Sequence, residues 1–225
     1  MTATRKALSA LNGATLGLSL VVGGLGVWTV IAGPTELLPI HWNASGHADD
    51  WGSREMLGSA LIGLALLTLL LGGGMGLAAT RADDPARRRA LHYAQLVVVL
   101  SLPLISLLIA SASLSGTTDI GGALPMALMS FVILLIGAFL GQVGPNPFVG
   151  VRTPWAFKSR LAWERSNRLA GRLFFVFGLA GLLTAPFAPR PLGLYAILAA
   201  IVVSALWSVV ESWRVWRTDA DRQPF

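Results

Sequence analysis

Six apolar runs, each about as long as a lipid bilayer is thick, constrain this chain more than anything else in it. They lie near Ala7–Ala32, Met56–Ala79, Leu91–Ala112, Gly122–Val143, Leu169–Ala188 and Leu192–Val210. A helix needs about 20 apolar residues to cross the hydrocarbon core. Backbone polar groups there must be bonded within the segment, which favours helices. The expected fold is therefore an all-α membrane protein with six transmembrane helices. Composition agrees: 54% of the 225 residues are hydrophobic and 12% charged, about half the charged share of a soluble domain. The last run is short, but Trp207, Trp213 and Trp216 near its end suit an interfacial aromatic belt. Arg5-Lys6 before the first run resembles the start of a signal peptide. The run that follows exceeds the roughly 7–15 apolar residues of a cleavable signal, so a retained anchor is expected.

Charge sets the expected orientation. Of the 17 Lys and Arg residues, all but Arg54 and Arg190 fall in alternate segments that begin with the N-terminus. Lys and Arg gather on the cytoplasmic side, so both termini are expected inside. The net charge of +6 sits in short blocks between apolar runs, which argues against a nucleic-acid partner and for the lipid bilayer. The absence of cysteine excludes disulfides, thiol nucleophiles and thiolate metal sites. No acid lies in the middle of a span, which counts against an ion-driven transporter. His92 and Gln95 fall in the first turns of the third span, near the cytoplasmic surface, and His92 reads as an interfacial residue rather than a relay. Arg172, one turn inside the fifth, can snorkel outward. The many glycines in the spans allow close helix approach, although glycine is also simply common in membrane helices.

The loop from Gly33 to Glu55 is expected outside. Pro34 and Pro39 keep its start from being helical, and Asn43-Ala-Ser-Gly46 is turn chemistry. His41, His47, Asp49 and Asp50 are metal-ligand types, but their spacing matches no metal signature. The expectation is a self-satisfied cap over the bundle, with no metal and no cofactor. Trp42 and Trp51 are expected at headgroup level.

The longest polar interruption runs from Gly144 to Gly171. Gly144-Pro-Asn-Pro147 must end the fourth helix, because residues before proline avoid the helical region. Thr153-Pro154 reads as an N-cap followed by proline in the first helical position. From Pro154 to Asn167 the pattern is helical: Trp155, Ser159 and Trp163 share a face, and Lys158, Arg160, Arg165 and Arg168 supply a basic surface. This predicts an amphipathic, Trp-anchored helix lying in the interface within the fourth loop. Two roles remain open for it, a linker held by anionic lipid or a docking surface for a cytoplasmic protein.

Gly150-Val-Arg-Thr-Pro-Trp155, then Trp163 and Asn167-Arg168-Leu-Ala-Gly171, resemble the signature of the SdpI family of bacterial multispanning immunity proteins. Val151 stands where isoleucine is usual, and Asn167 where histidine is frequent. Leu38-Pro39-Ile40-His41-Trp42-Asn43, Gly46, Asp50 and Trp51 resemble the companion N-terminal domain of such proteins. The resemblance implies two regions, a two-span part over 1–90 and an SdpI-like four-span part over 91–225.

The resemblance also implies a function: immunity to a membrane-active peptide toxin, with signalling through capture of a cytoplasmic repressor. Toxin sensing would then fall on the outer residues His41, Trp42, Asn43, Gly46, Asp50 and Trp51. The inner motif, for a partner or for structure, is Asn146, Gly150, Arg152, Thr153, Pro154, Trp155, Trp163, Asn167, Arg168 and Gly171. An enzyme is not expected, since no nucleophile–base pair, carboxylate pair or phosphate loop is evident. The alternative is a membrane enzyme or small-molecule permease that uses the outer His/Asp loop.

Overall fold

The computed structural model describes residues 3–146 and 149–223, with side chains from Ala10 onward. Pro147, expected in the turn, and the side chains of Arg5 and Lys6 lie outside the described residues. The elements are α1 (Ala3–Ala32), β1 (Leu38–Trp42), β2 (Ala48–Gly52), α2 (Arg54–Thr68), a π-helical turn (Leu69–Gly73), α3 (Gly74–Thr80), α4 (Pro85–Leu114), α5 (Ala123–Leu140), α6 (Pro154–Phe157), α7 (Arg160–Thr184) and α8 (Leu192–Thr218). Among the described residues, five helical stretches are long and apolar enough to cross a membrane: Ala10–Ala32, Arg54–Thr80, Pro85–Leu114, Ala123–Leu140 and Leu192–Thr218.

Burial is distributed as lipid solvation would have it. Leu20, Ile31, Leu70, Leu183 and Leu206 are each more than 60% exposed, while Thr15, Thr29, Thr68, Ser106, Ser166, Ser204, Ser208 and Ser212 are at most 1% exposed. In water this arrangement would be upside down. In lipid, small and hydroxylated residues draw helices together and large apolar ones face the tails.

Two expectations need correction. The chain is not wholly helical, because the outer loop contains an antiparallel hairpin, β1 with β2. A separate interfacial helix over Pro154–Asn167 does not form either. Only a single turn, α6, follows Thr153. Ser159 then takes an extended conformation and caps α7, accepting from the Ala162 N–H at 2.9 Å. Nothing near Asn167 stops α7. It runs unbroken into the apolar stretch expected as the fifth span, with Arg160, Arg165, Arg168 and Arg172 in its first half.

The helices group into two compact units, residues 1–82 with 91–121, and residues 83–90 with 122–225. This is a different cut from the 1–90 and 91–225 division drawn from family resemblance. In the first unit, α1 and α2 meet at Gly26 and Gly58. A Cβ on Gly58 would lie 2.6 Å from the Gly26 carbonyl oxygen. Val22, Leu38, Leu57, Leu61, Ala65 and Ala110 form the core there.

In the second unit, α5 and α7 approach until backbone touches backbone. A Cβ on Gly171 would lie 2.9 Å from the Gly141 nitrogen, and one on Gly178 would lie 2.7 Å from the Ser130 carbonyl oxygen. Packing α8 against this pair buries Ile197 with Met126, Ile133 and Ala185. Its serines 204, 208 and 212 are all buried, and the four-residue spacing keeps them on one face.

Candidate functional site

The inner loop is built by short polar side chains that stand in for regular backbone pairing. Asn146 donates its amide to the carbonyls of Gly144 (2.9 Å) and Val149 (3.0 Å), and its Oδ1 accepts from the Val149 N–H at 2.8 Å. Gly150 follows with φ +129, where L side chains are strained. A Cβ there would also meet Asn167 Oδ1 at 2.6 Å and the Trp163 ring at 3.0 Å. Val151 N–H donates to Asn167 Oδ1 at 2.7 Å, and Asn167 Nδ2 donates to the Trp163 carbonyl at 2.9 Å. Trp163 is fully buried, and its indole N–H donates to the Val143 carbonyl at 2.8 Å. The loop is thus fixed to α7 by Asn167 and Trp163, not by its charges.

Thr153 performs the expected cap, accepting from the Ala156 N–H at 3.1 Å, and Pro154 opens α6. Thr153 Oγ1 also lies 2.7 Å from Ser212 Oγ, and Ser212 donates to the Val209 carbonyl at 2.8 Å. A hydroxyl has one proton to give, so Thr153 is the donor and Ser212 the acceptor in this pair. Ser159 donates to Asp219 Oδ2 at 2.5 Å. That bond, with a second from the Asp221 N–H and the nearby Arg222, holds the Asp219 carboxyl below its ordinary range. The Gln223 N–H donates to the Lys158 carbonyl at 2.8 Å, so the segment after α8 closes over the α6–α7 junction.

Arg152 is exposed and makes no hydrogen bond or ion pair among the described residues; Trp155 beside it is half-buried. Arg160, Arg165, Arg168 and Arg172 are exposed along α7, and only Arg160 is paired within it, with Glu164 at 3.0 Å. Arg217 and Arg222 stack on Trp213 and Trp216 at 4.9 and 5.4 Å.

The outer candidate residues fall on or beside the hairpin. Asn43 Oδ1 accepts from the Ser45 and His47 N–H groups, and Gly46 turns the chain at φ +86. Trp42 is half-buried and donates to the Thr117 carbonyl at 3.0 Å, whereas Asp50 and Trp51 are exposed. His41 meets Asp49 at 2.6 Å, and His47 meets Asp119 at 3.7 Å. These are separate pairs, and among the described residues no three metal-type side chains converge. The segment after α4 pairs with the hairpin through backbone: the Ala48 N–H donates to the Thr118 carbonyl at 2.7 Å, and the Ile120 N–H to the Gly46 carbonyl at 2.9 Å. Sequence reading had no sign of this third participant.

It also gave no partner for Gln95. That side chain is fully buried in the first unit. Its Nε2 donates to Asn12 Oδ1 at 2.8 Å and Thr15 Oγ1 at 3.0 Å, under Gly76 of α3. His92 Nδ1 lies 3.5 Å from Gln95 Oε1. A polar residue in an apolar run was the available signal, and it marked a helix contact.

The inner loop, its Asn167–Trp163 anchor and the Thr153–Ser212 bond all lie within one stretch that has known relatives. Residues 142–212 match the SdpI/YfhL protein family. The SdpI/YfhL segment lies wholly in the second unit and spans α6 and α7 with most of α8. The outer-loop resemblance lies outside the matched residues. No match to the chain was found among curated proteins or solved structures. With its apolar helices, the SdpI/YfhL segment makes this a membrane protein.

Proposed function

We propose that the protein is a bacterial inner-membrane immunity receptor that protects its cell from a membrane-active peptide toxin. The observation that carries this reading is the SdpI/YfhL match over the Gly150–Trp155 loop and its anchor. In this reading α7 supplies a sixth crossing and both termini face the cytoplasm, in accord with the Lys/Arg distribution. The hairpin and the Thr117–Ile120 segment form the toxin-facing surface. Arg152, exposed on a loop fixed to α7, is the contact for a cytoplasmic repressor. The protein acts as a receptor, not an enzyme, and the His41–Asp49 pair belongs to the outer cap.

The deciding experiment is toxin challenge of a sensitive host with and without the protein. Survival is expected only in cells that make it, and equal killing at equal membrane abundance would reject immunity. Arg152→Ala should leave protein level and survival intact while abolishing recruitment of the repressor to membranes.

A further inference from the structure

Between α5 and α7 lies an open groove of about 480 Å³, lined by Gly137, Gly141 and Ala138 on one side and by Gly171, Phe175 and Val176 on the other, with Gln142, Arg168 and Arg172 also facing it. It exists because the glycines bring the two backbones together and leave no side chains to fill the space beside the crossing. Phe175 and Val176 are 42% and 58% exposed, so the groove opens onto the apolar surface. Arg168 lies at the end of α5, its Cα 3.2 Å from where a Gly141 Cβ would be. Arg172 is one turn deeper on the same face. Neither arginine has an ion pair or hydrogen bond among the described residues, and the nearest acid on α7, Glu164, is held by Arg160.

We propose that this groove is a binding site for one anionic phospholipid, with the phosphate on Arg168 and Arg172 and an acyl chain along Phe175 and Val176. Two unpaired guanidiniums at the end of an apolar channel call for an amphiphile with an anionic head. Guanidinium is the side-chain group best shaped for phosphate oxygens. A second copy of the same face fits poorly, because it would set these arginines against their own counterparts. The site also differs from diffuse attraction to an anionic membrane. Selectivity should depend on two of the chain's 17 basic residues.

The test is native mass spectrometry of the full-length protein in neutral detergent, titrated with dioleoylphosphatidylglycerol or dioleoylphosphatidylcholine. The wild-type chain should take one phosphatidylglycerol about 5- to 30-fold more tightly than phosphatidylcholine, as two interfacial cations would give. Arg168→Gln with Arg172→Gln should erase that preference. Arg87→Gln with Arg89→Gln, which removes as much charge from residues that do not line the groove, should keep it. Ala138→Phe, which fills the groove, should weaken both lipids. Equal affinity for the two lipids in the wild-type chain would overturn the proposal, as would equal loss in the Arg87/Arg89 variant. Displacement of the lipid by equimolar glycerol phosphate would reduce it to a phosphate site. A dimer abolished by Ala138→Phe would give the groove to a second copy.

Discussion

Asn167 bonds in both directions, accepting from Val151 and donating to Trp163, and its value to the inner loop lies in that pairing. Asn167→Leu would leave the Val151 N–H without its acceptor, a loss of about 1–3 kcal/mol for a buried group. Val151→Ala keeps the N–H and should cost less. Melting of the two variants in detergent checks the order. Gly150→Ala should resemble Asn167→Leu, since a strained backbone of this kind costs about 1–3 kcal/mol. The capping role of Thr153-Pro154 was legible in the sequence because a cap is a local affair, settled by neighbours three residues away. The burial of Trp163 was not. A stripe of Trp155, Ser159 and Trp163 reads equally as a lipid-facing or a protein-facing surface. The bond to Val143, 20 residues upstream, decides between them.

At the scale of elements, the glycines separate into two kinds that composition cannot tell apart. Gly137, Gly141, Gly171 and Gly178 stand where a Cβ would strike the opposing helix, whereas Gly13, Gly17, Gly63 and Gly74 have no neighbour within 4 Å of that position. Gly171→Val should therefore lower the melting temperature markedly, since overpacking costs about 1–3 kcal/mol or more. Gly63→Ala should leave it unchanged or raise it, in keeping with the roughly 1 kcal/mol by which alanine exceeds glycine in a helix. Thermal melts of the two proteins side by side would show the contrast. The helices themselves were legible from apolar length alone. The hairpin was not, because Leu38–Trp42 contains a proline and Ala48–Gly52 two acids. Neither strand announces a buried face, and part of their pairing comes from residues some 70 positions later.

For the whole molecule, the orientation is the largest expectation still to be measured. The chain has no cysteine, so single cysteines can be placed without background. Ser45→Cys and Thr118→Cys should react with an impermeant maleimide in intact cells, whereas Asp83→Cys and Asp221→Cys should react only after permeabilisation. Labelling of Asp83→Cys from outside would invert the topology and move the Arg152 surface away from any cytoplasmic partner. The expected orientation rests on a count of charges between spans. The grouping of helices into units was not legible in the sequence, since it rests on side-chain pairs such as Gln95 with Asn12, far apart in the chain and silent in any periodicity.

The hairpin surface carries a further consequence for how the proposed function would be mapped. Ala48 and Ile120 hold the hairpin to the segment after α4 with their own peptide groups, and most side-chain replacements leave peptide groups untouched. An alanine scan would pass over Ala48, already alanine, and would keep the Ile120 peptide group, and so would place the working surface on the histidines and tryptophans alone. The segment that completes that surface would be invisible to the scan, and proline substitutions would be the ones to reveal it.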